Sequence, residues 1–349
     1  RQGPGSFVTN VTGTLTVVNL PTFAGDVVSL SAGNDLVVVS PLSVGSGTVT
    51  LTAGKGLTLG EPVTASVLTL TAGTAGQKDD VSIQTAVDNL VVDMKGTGNF
   101  TVVQSGDLNL GSLNMSGGNL TIVADGDVTI NSLTGTIGSL SITSKTGNIK
   151  IINNTAMAGA VTLDAASGSI EVASIEADTL DITAKGNVSL VEKDDVVVNS
   201  LNLNTGFAYV DLQAGGDLTM NDSLSVTSSA TITLYAGNDG SGALTVNQAL
   251  SAASGAITLK AGSGMTLAEQ ADLTTTSGQI SLNAGTGALT MSGDTVVNAG
   301  TGLIRLDAGG DITLGKLRTT SPQDLVIKSS SGAVLDGGDG STDIIATGA

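Results

Sequence analysis

The sequence predicts an all-β chain wound as a parallel β-solenoid with coils of about 20 residues. Three observations predict it. A short phrase recurs along the chain, as in VTLTAGKGLTL at Val49–Leu59, YVDLQAGGDLTM at Tyr209–Met220 and LIRLDAGGDITL at Leu303–Leu314. Within each copy the apolar residues fall at i, i+2 and i+4, the period of a strand with one buried face rather than of a helix. The copies mostly follow one another at about 19–25 residues, a spacing that marks stacked repeats.

Each part of the phrase has a structural reading. Val49, Leu51 and Ala53 share one face of an extended strand, with Thr50 and Thr52 opposite. Gly54 and Gly56 flank a sharp turn at Lys55, after which Leu57 and Leu59 point inward again. Short apolar beats between copies, such as SLNM at Ser112–Met115, supply a third strand per coil. One coil cannot bury its own inner face, so coils must stack, at about 4.8 Å per rise. The expected ladders are Leu51 over Leu70, and Ile122 over Ile142, Leu163 and Ile182, with the copies at Val28, Leu68, Leu120, Val210 and Ile304 taken as equivalent rungs. Fourteen or so coils would make a rod about 70 Å long. A small Ala slot, at Ala53, Ala124, Ala214 and Ala308 among others, fits the corner that follows each long strand.

Composition agrees. Hydrophobic residues make up 40% of the 349-residue chain and aromatics 2%, beside 48 glycines, so Val, Ile, Leu and Ala must fill the interior. A net charge of −18 argues against nucleic acid and anionic membranes as partners. No apolar run is long enough to insert in a bilayer. With no Cys and no His, thiolate metal sites and imidazole acid–base chemistry are excluded. The chain is therefore read as no enzyme and as needing no cofactor, with Ca²⁺ the one ion weighed. Arg1–Ser6, RQGPGS, reads as a tag scar, leaving residues 7–349 as a single β-helix shaft.

The turn phrases LTAGKGLTL, LQAGGDLTM, LKAGSGMTL and LDAGGDITL resemble the haemagglutinin-type repeats of filamentous haemagglutinin and related two-partner-secretion exoproteins. The resemblance implies a right-handed parallel β-helix, export to the cell surface, an outer-membrane transporter as partner, and a role in adhesion or biofilm cohesion. The amino-terminal secretion domain of that family, with its Asn-Pro-Asn type motifs, is not seen in the chain, as expected of an excised shaft piece.

The rhythm breaks near residues 77–101 and 192–209, where QKDDVSI and EKDDVVV precede extra strand-like segments, and these two breaks read as a nested repeat of roughly 110 residues. Asp79 with Asp80, and Asp194 with Asp195, are the candidate Ca²⁺ ligands there. A polar turn before a strand explains the same residues. Asp35, Asp107, Asp127, Asp217 and Asp311 are read as turn formers. Phe207, Tyr209, Tyr235 and Lys260 are the candidate contacts for a glycan or a host or neighbour-cell surface. Asp181 and Asp211 are the one acid pair expected near each other on an outer face. The outward Thr row of the long strands is broken by charges, which argues against an ice-binding array. The leading functional expectation is a rigid shaft of a secreted adhesin, with a carbohydrate-binding module second and a polysaccharide-active enzyme a distant third.

Overall fold

Alternation along the sequence becomes alternation of burial. Thr48–Ala53 exposes and buries its residues in strict turn, and Leu120–Ala124 and Ile232–Ala236 do the same. The structure is a computed structural model describing residues 5–22, 24–203, 209–227, 229–238, 240–320, 325–338 and 340–347. The described residues form strands and turns with no helix, and the strands pair in parallel across coils of about 21 residues. They make a β-solenoid. Its chain falls into two compact units, Arg1–Gly168 with Val172–Glu176, and Ser169–Glu171 with Ala177–Ala349.

Unit 1 has three strand columns. The first holds Val28, Val49, Leu68 and Leu90 in register, and Leu30, Leu51, Leu70 and Val92 beside them. The second carries Leu36 and Leu57, then Val81, Phe100, Leu120, Leu140 and Val161. A third runs through Leu108, Val128 and Ile149. All of these side chains are buried to within a few per cent, forming aliphatic stacks down the inside. Burial of such surface, at about 25 cal/mol per Å², is the main stabilising term.

Leu51 lies on Leu70, and Ile122 on Ile142 and Leu163, as the sequence predicts. The copies nevertheless do not form one column. Leu70 stacks on Val92, whereas Ile122 belongs with Val102 and Ile83 in the second column. The long strand with its glycine turn thus moves one face onward after Ala72.

Unit 2 makes the same move once more. Leu180–Ala184 lies under Val198–Leu203, but the next full phrase, Val210–Ala214, lies on Val188–Val191, one face on. From there the column runs without interruption through Ile232, Ile257, Ile280, Ile304 and Leu325. Asp181 therefore pairs with Ser200 while Asp211 lies between Ser189 and Thr233, and the expected pairing of the two acids is not found. Most described residues of the two breaks are strand: Val81–Met94, Phe100–Gln104, Val188–Glu192 and Val196–Leu203.

Candidate functional site

The turns carry most of the charged groups, and they are built alike. An Asp or Asn just before a strand accepts a backbone N–H from the coil above. Asp107 Oδ1 accepts from the Asp127 amide at 2.8 Å, and Asp127 Oδ1 from the Asn148 amide at 2.6 Å. Asp217 Oδ1 accepts from Ala243 at 2.8 Å, and Asp311 Oδ1 from Ala333 at 2.7 Å. The glycine that precedes the receiving residue makes room. A Cβ on Gly126 would meet Asp107 Oδ1 at 1.9 Å, and one on Gly147 would meet Asp127 Oδ1 at 2.3 Å. The Gly-Asp of the repeated phrase is therefore a staple between coils: the carboxylate satisfies an orphan N–H, and Gly lets it through.

The KDDV residues divide between this role and others. Asp80 Oδ1 accepts from the Asn99 amide at 2.7 Å, and Asp195 Oδ1 from the Asp217 amide at 2.7 Å, so each holds its coil to the next. One oxygen of Asp79, Oδ2, is buried without a hydrogen-bond partner. The Asp194 amide donates to Glu192 Oε2 at 2.7 Å. Among the described residues no three His, Cys, Asp or Glu side chains gather in a metal-holding group. Each KDDV turn leads into a strand. Asp80 precedes Val81–Met94, paired with Phe100 in unit 1, and Asp195 precedes Val196–Leu203, paired with Leu218 in unit 2.

The aromatic candidates lie on an outward ladder of unit 2. Gln213, Tyr235, Lys260, Asn283, Asp307 and Lys328 follow one another on successive rungs. Lys260 Nζ stands 5.9 Å from the centroid of the Tyr235 ring, a cation–π distance. Tyr209 is 43% exposed, one residue before Val210–Ala214, and its amide donates to Asn187 Oδ1 at 3.2 Å. Phe207 lies outside the described residues. The central Thr row of the long strands is interrupted, but the short strands carry one that is not: Thr219, Thr245, Thr266, Thr290 and Thr313 stand in single file.

Two corners combine concavity with buried polar side chains, and sequence reasoning missed both. In unit 1, Val87, Asp88, Gln104, Asp107 and Asp127 line an open cleft of about 550 Å³. In unit 2, Asp178, Asp195, Val196 and Asp217 line one of about 280 Å³. Gln104 lines the first cleft and Glu192 lies three residues before Asp195 of the second, at 2% and 1% exposure, each in the slot that most other copies give to Ala. That substitution was the available signal. Glu192 accepts from the Ala177 amide at 3.1 Å as well as from Asp194. Its burial, followed by the bond to the Asp194 side chain, pushes its carboxyl up to about 8, against the two backbone N–H bonds that act to lower it.

No family model, curated protein or solved structure matches this chain. The fold and its staples define the class: a parallel β-helical repeat protein.

Proposed function

We propose that this chain is a shaft segment of a large secreted or cell-surface bacterial adhesin, a spacer that supports adhesion or biofilm cohesion. The observation that carries the reading is the staple between coils. Backbone pairing, aliphatic stacks and carboxylate–amide bonds all join one coil to the next, so load along the stack is shared by many parallel bonds. The outer skin carries the net charge of −18, which favours solubility and discourages edge-to-edge pairing. The likeness of the turn phrases to haemagglutinin-type repeats supports the export route and the outer-membrane transporter as partner. Pulling single molecules from their ends tests the spacer. The expected record gives up chain in increments of whole coils at high force, and smooth extension at low force would refute it.

The Tyr235–Lys260 ladder favours a second reading, a carbohydrate-binding module, because an outward ring beside a cation suits a sugar face. A glycan array separates the two. The spacer predicts no reproducible ligand, and binding that disappears in Tyr235→Ala would establish the module.

A further inference from the structure

The strands Val81–Met94 and Ile170–Ala184, of 14 and 15 residues, each pass through a corner that other coils turn with a glycine phrase. Backbone groups at such a corner need partners from elsewhere. In each case a long polar side chain from the following coil supplies them. Gln104 reaches Val87, and Glu192 reaches Ala177. The turn acid follows three positions later in both, as Asp107 and Asp195.

An amide and a carboxylate do not close these corners in the same way. Gln104 Oε1 accepts from Thr85 Oγ1 at 2.7 Å and from the Val87 amide at 3.4 Å. Its Nε2 donates to the carbonyls of Val87 at 2.9 Å and Asp107 at 2.7 Å. Gln104 thus accepts and donates, with no charge. Glu192 accepts at both oxygens and has the Asp194 side chain as its remaining partner. An ionised Glu192 has nothing to donate to Asp194 and sets a buried charge against a second carboxylate. A proton on Glu192 converts that repulsion into a hydrogen bond.

The other charged groups around the corner are mostly acids. Asp178 and Glu176 belong to the strand below, Lys193 and Asp195 to the turn itself and Asp217 to the coil above. Carboxylates outnumber the single lysine, which is itself exposed.

We propose that the Glu192 corner is a proton-operated latch: protonated, Glu192 ties the strand at Ala177 to the turn at Asp194, and ionised, it lets that turn go. The Gln104 corner is the same device with the proton requirement removed. It provides an internal control within one molecule.

Amide hydrogen exchange on the intact chain, corrected for the intrinsic effect of pH, tests the latch. Between pH 6 and pH 9 protection at Ala177 and Asp194 is expected to fall about tenfold or more, while protection at Val87 holds. Glu192→Gln is expected to abolish the pH dependence. Asp194→Asn removes the neighbouring charge without touching the Glu192 contact to Ala177, and is expected to move the midpoint to lower pH, because the Asp194 carboxylate is one of the groups that hold the proton on Glu192; a midpoint that rises would count against the latch. Flat protection at Ala177 in the natural sequence, an equal loss at Val87, or an unmoved midpoint in Asp194→Asn would each overturn the proposal, the last even if Glu192→Gln fails to fold.

Discussion

Phe100 offers the sharpest test of the aliphatic stack. It is fully buried, among the largest such side chains in the chain, and stands between Val81 below and Leu120 above. Replacing it with Ala removes the ring and leaves its neighbours in place, because the coils on either side are held by their own backbone pairing. At about 25 cal/mol per Å² over roughly 150 Å², the loss comes to about 4 kcal/mol. Large-to-small changes in rigid cores cost about 3–5 kcal/mol, in agreement. Phe100→Leu keeps an apolar knob on the rung and is expected to cost about 1.5 kcal/mol. The chain has no Trp, so urea unfolding is best followed by backbone circular dichroism, with amide exchange to locate the damage. Protection should fall at Val102 and Ile122 first, since each coil leans on its neighbours. A loss below about 1 kcal/mol for Phe100→Ala would refute the claim that inward columns carry the stability.

Other substitutions test other parts. Asp127→Ala strips the acceptor from both the backbone and side-chain N–H of Asn148, and at this exposed corner should cost about 1 kcal/mol, with faster exchange at the Asn148 amide as the readout. Gly135 sits at φ 97° in a strand, where a Cβ would meet the Met115 carbonyl oxygen at 1.8 Å, so Gly135→Ala should destabilise unit 1 by about 2 kcal/mol or more in urea unfolding. Glu192 predicts a pH dependence with a definite sign. Its carboxyl is raised from 4.5 to about 8, so the folded state binds the extra proton, and the contribution of Glu192 to the stability of unit 2 is fully present below about pH 4.5 and is lost as pH rises through 8. Urea midpoints between about pH 5 and pH 8 should fall more steeply in the natural chain than in Glu192→Gln.

The inward residues were legible because alternation is local. Val49, Leu51 and Ala53 announce their shared face with no knowledge of the coils around them, and all three are buried where the pattern puts them, although Leu59 of the same phrase is only half-buried. The staple was half legible: Gly126-Asp127 reads as a turn, but that the Asp107 carboxylate passes through the space left by Gly126 depends on the coil below. The latch corner was less so. Glu192 departs from the Ala slot in plain sight, yet nothing adjacent in sequence names Ala177 as its partner.

By itself the sequence determined the strands, their buried sides, the length of a coil and the resemblance that motivates the functional proposal. Only the tertiary structure decided which copies stack on which. The same glycine phrase closes more than one corner, so its local chemistry is silent about the face it occupies. Column membership follows instead from how many residues separate one rung from the next, and that number takes effect only when distant strands pair.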